Sequence, residues 1–307
     1  MIIRIYFVDF AAGLDLYNNW FTNFLSKYFE IEISENPDFL IYSSFGHKHL
    51  TYSCTKIFFT GENDRPNFFL CDYALGYDLR KSTRYLRLPL YVIWKGLDYR
   101  KLLFPDYTSI ISHNPKSKFC CFLISNPKAL TRNKFFNKLN SIRRVDSGGK
   151  ALNNIGREVS NKMEFISPYK FMIAYENTSY PGYVTEKIFE CFFTNTIPIY
   201  WGSNCVERDF NSNRIIDRKS FKSDEDMISY VLYLDQDNEA YQRFIKQPIF
   251  VDNLSTIFFD ENRVYQFFAT IFAGSFQTKS IGFRKKIGIL IRKKRNFVKK
   301  VFKTDFL

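Results

Sequence analysis

The chain has 307 residues and a mass of 36.6 kDa, which exceeds the usual size of a single hydrophobic core and predicts two domains. Hydrophobic residues make up 46% and aromatic residues 19%, so the composition excludes a disordered chain. The net charge is +13, but residues 276–307 hold eleven Lys and Arg and one Asp, which leaves only +3 for residues 1–275. The body is therefore nearly balanced in charge.

Short apolar runs separated by turn residues predict strands in the first part of the chain. Residues 1–9 predict an opening strand, and apolar residues at helical spacing, from Leu16 through Trp20 and Phe24 to Phe29, predict a helix. The runs "DFLIYSSFG" and "TKIFFTGEN" predict buried parallel strands that end in turns. The polar stretch "FPDYTSIISHNPKSK" follows and predicts a domain boundary between residues 115 and 116.

A second series of strands and helices fills residues 116–275. Its predicted order is strand "KFCCFLIS", helix "LTRNKFFNKLN", strand "RRVDS", a helix near 155–166, strand "FMIAYEN", helix "TEKIFECFF" and strand "TIPIYWG". Such alternation predicts an α/β fold whose parallel sheets are covered on both faces, here in two tandem units.

No apolar stretch reaches the length of about 18 residues that spans a bilayer, and no signal peptide is recognised at the N-terminus. The six cysteines show no CxxC spacing and lie mostly among apolar neighbours. Together these patterns predict a cytoplasmic protein with reduced cysteines.

The stretch "YENTSYPGYVTEK" interrupts the second series with polar groups where a strand ends and a helix begins. Ligands of open α/β sheets bind at such strand ends. Four of these residues could bind a nucleotide diphosphate-sugar. The amide of Asn177 and the carboxylate of Glu186 would bind sugar hydroxyls, and the phenol of Tyr183 and the ammonium of Lys187 would bind phosphate oxygens. A polar loop followed by a capped helix explains the same residues equally well.

Three further patterns are compatible with a catalytic or metal-binding role and also with a purely structural one. Glu62, after an apolar strand, is placed as a general base would be, but a turn glutamate in solvent fits as well. Asp235 and Asp237 have the D-x-D spacing of cation sites, yet the helical period before them favours a helix end. His47 and His49 form an H-x-H without an obvious third ligand, so we predict no metal site.

The tail, residues 276–307, alternates basic clusters with apolar residues at helical spacing. Each basic residue near an anionic leaflet contributes on the order of 1 kcal/mol, so the tail predicts reversible binding to an anionic membrane. Nucleic acid is the competing partner on electrostatic grounds, and we favour the membrane because the body carries no aromatic and basic platform.

The segment "FMIAYENTSYPGYVTEKIFECFFTNTIPIYWGS" resembles the signature segment of the α1,3/4-fucosyltransferases, above all the bacterial enzymes that build Lewis-type antigens on lipopolysaccharide. The upstream runs "FFTGENDRPNFFLCDYALGYDLRKSTRYLRLPLY" and "FCCFLISNPKALTRNKFFNKLNSI" and the downstream "DFNSNRIID" extend the resemblance to roughly residues 55–275. The first fifty residues match poorly, and bacterial members often carry heptad repeats that this chain lacks.

The resemblance implies the GT-B fold, in which two Rossmann-like domains face each other across a cleft. Residues 1–115 would bind the acceptor, residues 116–275 GDP-fucose, and residues 276–307 the membrane. By the same resemblance Glu62 matches the proposed general base and Arg132 the diphosphate-binding arginine. Asn177, Tyr183, Glu186 and Lys187 match the residues that contact the donor.

The implied reaction is inverting transfer of L-fucose from GDP-fucose to GlcNAc of a Galβ1-4GlcNAc-type acceptor on a surface glycan or lipopolysaccharide, which produces a Lewis x type of product. No cofactor is expected, and stimulation by a divalent metal such as Mn²⁺ is left open. The alternatives are a GT-B transferase of another nucleotide-sugar and a non-catalytic glycan-binding surface protein. The expected location is cytoplasmic, peripheral on the inner face of the membrane, with no nucleic-acid partner.

Overall fold

A computed structural model describes residues 2–94, 97–103, 116–251 and 257–274 together with Gly288. Within these residues the strands are β1 (Ile3–Val8), β2 (Ile31–Ile33), β3 (Phe39–Tyr42), β4 (Thr55–Phe59), β5 (Tyr73–Gly76), β6 (Tyr85–Arg87), β7 (Lys118–Phe122), β8 (Asp146–Ser147), β9 (Tyr169–Tyr175), β10 (Ile197–Trp201) and β11 (Ile216–Asp217). The helices are α1 (Trp20–Leu25), α2 (Leu130–Ile142), α3 (Lys162–Ile166), α4 (Glu186–Phe193), α5 (Asp224–Gln236), α6 (Asn238–Ile245) and α7 (Glu261–Ala273).

The first compact unit contains a parallel sheet in the order β2-β1-β3-β4-β5-β6 among the described residues. The strand pairs are all parallel, as in the pairing of Ile5 with Phe39 and of Phe58 with Ala74. The centre of the sheet is fully buried, with Leu40 and Ile57 at 0% exposure. Because parallel strands end at the same edge, the loops after β1, β3 and β4 leave the sheet side by side.

The first helix is shorter than its apolar spacing predicts. It begins at Trp20, because the carboxylate of Asp15 accepts hydrogen bonds from the backbone N–H groups of Tyr17 and Asn18 and so holds the preceding residues in a turn. Asn19 then caps the helix by accepting a hydrogen bond from the N–H of Thr22. Leu16 therefore lies outside the helix.

The helix predicted near 155–166 is also shorter and spans Lys162–Ile166. Asn153 accepts hydrogen bonds from the backbone N–H groups of Ile155 and Gly156, and the φ of Gly156 is +74°. These turns are incompatible with a helix, which starts only after the cap residue Asn161.

The second compact unit contains a parallel sheet in the order β11-β10-β9-β7-β8 among the described residues. Its centre is β9, where Phe171 pairs with Cys120 on one side and with Ile197 on the other. Lys116 closes the base of this sheet by donating to the carbonyls of Ser167 and Thr194 at 2.5 and 2.6 Å. Burial lowers the pKa of Lys116 to about 8.

The units divide the chain differently from the predicted 115/116 boundary. The second unit runs from Pro89 to Phe259, because Tyr91 packs against Phe189 and Phe210 of that unit. Helix α7 lies within the predicted unit of residues 116–275 but packs in the first unit. Residues 104–115, on which the predicted boundary falls, lie outside the described residues.

The aromatic face of α7 explains its return to the first unit. Phe268 lies 6.5 Å from Phe21, and Phe272 lies 5.0 Å from Phe29 and 4.7 Å from Phe39, measured between ring centroids. These edge-on ring contacts bury the helix against α1 and β3.

The basic tail, residues 276–307, lies outside the described residues apart from Gly288. In the part of the chain that the structure describes, no helix combines the length and apolarity needed to cross a membrane. All six cysteines are free thiols, and burial raises the pKa of Cys120, Cys121 and Cys191.

Candidate active site

Arg132, in the first turn of α2, meets Asn177 just beyond the carboxyl end of β9. One guanidinium N–H donates to Asn177 Oδ1 at 2.9 Å and another to the carbonyl of Asn126 at 2.8 Å. The residue is 2% exposed, and its Nε has no hydrogen-bond partner among the described residues. Burial lowers the pKa of Arg132, against the opposing charges of Glu176 and Tyr183. The sheet edge thus holds a buried cation with donor capacity to spare.

Glu176, between β9 and Asn177, organises the start of helix α4. Its carboxylate is fully buried and accepts hydrogen bonds from the backbone N–H and the hydroxyl of Thr185, both at 2.7 Å. Lys187 Nζ donates to the same carboxylate at 3.1 Å and lies 3.4 Å from Glu186 Oε1. Thr185 is the cap position of α4 and donates its hydroxyl to Glu176 rather than capping its own helix. The cluster fixes Lys187 and Glu186 at the helix N-terminus.

The charges in this cluster compensate one another. Burial disfavours a charged Lys187, but the carboxylates of Glu176 and Glu186 outweigh burial and raise the pKa of Lys187. Burial raises the pKa of Glu176, whereas for Glu186 the neighbouring lysines Lys187 and Lys162 outweigh burial and lower the pKa. Lys187 is therefore a protonated ammonium held between two carboxylates.

The loop from 177 to 184 packs closely on the loop after β10. A Cβ on Gly202 would lie 2.5 Å from Glu176 Cγ, so only glycine allows this approach. The backbone N–H of Gly182 donates to Ser203 Oγ at 2.9 Å. Tyr183, within the 177–184 loop, is buried at 2% exposure. Arg132, Asn177, Tyr183, Glu186 and Lys187 therefore share one edge of the second unit's sheet.

Glu62 lies in the first unit, in the loop after β4. Its side chain is exposed, and its backbone N–H donates to Thr60 Oγ1 at 3.0 Å. The carbonyl of Glu62 accepts a 2.7 Å hydrogen bond from the N–H of Asp64, which closes a tight turn. Glu62 thus projects from the carboxyl edge of the first unit's sheet, where an open α/β sheet binds its ligand.

Asp235 and Asp237 have separate structural roles. Asp235 ends α5 as an ion-pair partner of Arg143 and of Lys170, whose Nζ lies 3.1 Å from Asp235 Oδ1. Asp237 caps α6 by accepting a hydrogen bond from the N–H of Ala240 at 2.9 Å. Both carboxylates are committed to protein partners.

His49 pairs with a carboxylate. Its Nδ1 lies 2.6 Å from Asp9 Oδ2, its ring stacks on Tyr42 at 4.1 Å, and its Nε2 is buried without a hydrogen-bond partner among the described residues. His47 is 6.4 Å away between ring centroids. Across the described residues, no group of three His, Cys, Asp or Glu side chains has the arrangement of a metal site.

Sequence reasoning did not assign a role to Glu176, Thr185, Gly202 or Ser203. The only available signal for Glu176 was an acidic residue directly after an apolar strand, which is a weak one. The role of Gly202 depends on the approach of a loop 26 residues away in sequence, which no local pattern encodes.

Two units built on parallel sheets, with a cluster of charged side chains at the strand ends of the second, are the architecture of the GT-B class of glycosyltransferases. Comparison with solved structures confirms the predicted α/β, GT-B fold. Two family models match the chain. Residues 5–94 match the N-terminal domain of alpha-(1,3)-fucosyltransferase FucT, and residues 113–253 match the C-terminal domain of glycosyltransferase family 10 (fucosyltransferase).

Individual related proteins are also fucosyltransferases. A crystal structure of an alpha1,3-fucosyltransferase with GDP-fucose is 30% identical, superposes with a TM-score of 0.74, and covers 91% of this chain and 92% of its own. The alpha-(1,3)-fucosyltransferase FucT of Helicobacter pylori is 37% identical over 71% of this chain and 53% of its own length. An alpha-(1,4)-fucosyltransferase of Arabidopsis thaliana is 37% identical over 26% of this chain and 20% of its own.

The chain belongs to the glycosyltransferase family 10 fucosyltransferases, and the predicted resemblance is confirmed. It spans about half the length of the H. pylori relative and less of the plant one.

Proposed function

We propose that the protein transfers L-fucose from GDP-fucose to the 3-OH of GlcNAc in a Galβ1-4GlcNAc-type acceptor, with inversion at the anomeric carbon. Family membership supports fucosyl transfer, and the related crystal structure that contains GDP-fucose supports the donor. The observation that carries the proposal is the buried Arg132 beside Asn177, next to the Lys187 cluster at the start of α4.

Donor binding follows from these groups. Arg132 and Lys187 neutralise the diphosphate. Arg132 is a buried cation that retains a donor without a partner among the described residues, and Lys187 is a cation whose side chain is 16% exposed. Asn177 and Glu186 hydrogen-bond sugar hydroxyls, and Tyr183 contributes its phenol to the phosphate. The N-terminus of α4 adds a favourable dipole for the negative charge.

The reaction uses Glu62 as the general base. Its carboxylate takes the proton from the acceptor hydroxyl while that oxygen attacks the anomeric carbon from the face opposite GDP. As the bond to the diphosphate lengthens, the sugar gains oxocarbenium character and the leaving group gains negative charge. Arg132 and Lys187 stabilise that charge, and losing one such donor costs about 3 kcal/mol, or around a hundredfold in rate.

The test is a product-detecting assay in which GDP-fucose, GDP-mannose and UDP-sugars are each offered with Galβ1-4GlcNAc or Galβ1-3GlcNAc. We expect transfer from GDP-fucose to the first acceptor. Transfer from another donor would establish a different GT-B activity, and preference for the second acceptor would change the linkage to 1,4. Sugar binding without product would indicate the non-catalytic alternative.

Matched variants separate the proposed roles. Glu62→Gln should bind GDP normally and lose at least about a hundredfold in kcat, whereas Asp64→Asn, which neutralises the neighbouring carboxylate, should remain active. Lys187→Ala and Arg132→Ala should weaken GDP binding in calorimetry. Unchanged GDP affinity in both would refute the diphosphate assignment.

Metal dependence and membrane association complete the proposal. Activity should persist in EDTA, with Mn²⁺ as a stimulator at most; complete loss would refute metal independence.

Residues 276–307 would hold the protein on the inner face of the membrane through their charge of +10. Truncation after Phe276 should abolish sedimentation with anionic liposomes and retain catalysis. Retained sedimentation, or binding to nucleic acid in preference to liposomes, would refute this role.

A further inference from the structure

The loop of residues 43–50 follows β3 and is built around Asp9, the residue after β1. The carbonyl of Asp9 accepts a hydrogen bond from the N–H of Phe45 at 2.9 Å. Its carboxylate accepts the N–H groups of Lys48 and His49, each at 2.9 Å, and pairs with His49 Nδ1 at 2.6 Å. Four hydrogen bonds to one residue therefore fix the conformation of this loop.

Two backbone features show how closely the loop fits Asp9. Asp9 has a φ of +61°, a left-handed conformation that a residue other than glycine adopts only at some cost. A Cβ on Gly46 would lie 2.3 Å from Asp9 Oδ1, so the loop approaches the carboxylate where only glycine fits. The side chains of Asp9 and His49 are 5% and 6% exposed, and their pairing is thus shielded from solvent.

This fixed loop holds an aromatic ring in solvent. Phe45 is 55% exposed although its own backbone N–H is bonded to Asp9. Exposed single aromatic residues are common. This one stands on a loop that is held by the buried hydrogen bond between His49 and Asp9 and by a residue with a positive φ. A ring on a loop of fixed conformation favours ligand binding, because the loop does not have to be ordered when the ligand binds.

Hydrogen bonds also connect Phe45 to the proposed general base. The hydroxyl of Ser44, adjacent in the chain to Phe45, lies 2.7 Å from Thr60 Oγ1, which in turn accepts the N–H of Glu62 at 3.0 Å. Thr60 is buried, so this link is shielded from water. The exposed ring of Phe45 and the exposed carboxylate of Glu62 thus stand on neighbouring loops joined by one hydroxyl pair.

We propose that Phe45 is the surface on which a pyranose ring of the acceptor glycan stacks, so that the acceptor hydroxyl reaches Glu62. The inference rests on the proposed function and names a specificity-determining residue for its acceptor. The flat apolar face of the ring suits the C–H face of a sugar, and the carboxylate beside it suits a sugar hydroxyl. Asp9 is a positioning residue, because it touches the loop and not the sugar.

The test is initial-rate kinetics with varied Galβ1-4GlcNAc at saturating GDP-fucose. Phe45→Ala should raise the KM for the acceptor roughly tenfold, which corresponds to the loss of one good aromatic contact. The KM for GDP-fucose should not change. Phe45→Trp keeps an aromatic ring and should have an acceptor KM close to that of the wild type. Tyr233→Ala, which removes a ring of the second unit that is 48% exposed, is the matched control and should leave both KM values unchanged.

A second variant tests the positioning role. Asp9→Asn keeps the size of the side chain, and asparagine tolerates a positive φ. One carboxylate oxygen becomes an NH₂ group, however, which cannot accept a hydrogen bond from the N–H groups of the loop. It should raise the acceptor KM while the ring is still present. Combined with Phe45→Ala it should add little, because both changes remove the same contact. Fully additive effects would refute the role of Asp9.

The outcomes separate this inference from the function on which it rests. An acceptor KM within twofold of wild type for Phe45→Ala, in an enzyme that transfers fucose, overturns the stacking role and leaves the function standing. If the wild type makes no fucosylated product, saturation-transfer NMR with Galβ1-4GlcNAc decides. If the wild type binds the sugar and Phe45→Ala does not, Phe45 is a sugar-binding surface and fucosyl transfer to this acceptor is rejected. If the wild type does not bind the sugar either, both proposals are overturned.

Discussion

Replacing Glu176 by Gln removes the buried charge on which the candidate donor site is organised. The carboxylate has no solvent exposure and receives three donors, namely the N–H and hydroxyl of Thr185 and Nζ of Lys187. Glutamine keeps the volume and one acceptor oxygen, but its NH₂ must face a hydroxyl and an ammonium. The change therefore isolates the charge from the packing.

The expected cost follows from the partners that remain. Removing one partner of a buried ion pair costs about 3–5 kcal/mol, because the other charge stays buried and unpaired. Here Lys187 keeps Glu186 at 3.4 Å and has a side chain that is 16% exposed, so part of its charge remains compensated. We expect a loss of about 2–3 kcal/mol in the free energy of unfolding, or roughly 5–10 °C in Tm.

The assay is urea unfolding followed by circular dichroism, with GDP binding measured by calorimetry on the folded variant. Glu239→Gln is the matched control, because its side chain is 89% exposed and it should change stability by less than about 0.5 kcal/mol. If Glu176→Gln is as stable as this control, the carboxylate does not hold the charge cluster together. Normal stability with weak GDP binding would assign Glu176 to the ligand instead.

Three other changes test neighbouring conclusions. Gly202→Ala should cost about 1–3 kcal/mol in urea unfolding, since its methyl group would meet Glu176 Cγ at 2.5 Å; a neutral effect would show that the loops yield. The pKa of Lys116 is lowered to about 8 by burial, so above that pH the unfolded state binds more protons and wild-type stability rises. The unfolding free energy of wild type minus that of Lys116→Met should therefore rise by up to about 3 kcal/mol from pH 8 to pH 10.5, and a constant difference would contradict the lowered pKa of Lys116. Asp235→Asn should lose about 1–3 kcal/mol of stability through its pairs with Arg143 and Lys170 and keep kcat/KM within about twofold; lost activity at normal stability would restore a role in the site.

The sequence predicted most of the strands and helices along the chain because these elements carry their signal locally, whereas the order of the strands in each sheet was not predicted. Strands β7, β9 and β10 are apolar runs between turns, and helix α2 has the periodicity of a buried face. The short strands β2 and β11 carry too few residues to show a period. Their existence depends on pairing with β1 and β10.

The sequence named some residues of the candidate site but not its organisation. Asn177, Glu186 and Lys187 lie within one stretch, so their proximity follows from chain continuity. The bond from Arg132 to Asn177 spans 45 residues, and the burial of Glu176 depends on the loop that carries Gly202. The same reason explains α7, whose apolar face is visible in sequence although its partners Phe21 and Phe29 lie more than two hundred residues away.

The return of α7 to the first unit makes the second unit an insertion within the first. A ribosome that makes about 5–20 residues per second completes residues 89–259 before it adds the helix that covers Phe21 and Phe29. For roughly 10–30 s the nascent first unit leaves those rings without the helix that covers them, accessible to chaperones or to other chains. The second unit is contiguous in sequence and can finish folding first. The first unit, whose segments lie on both sides of it in the sequence, completes its core only afterwards.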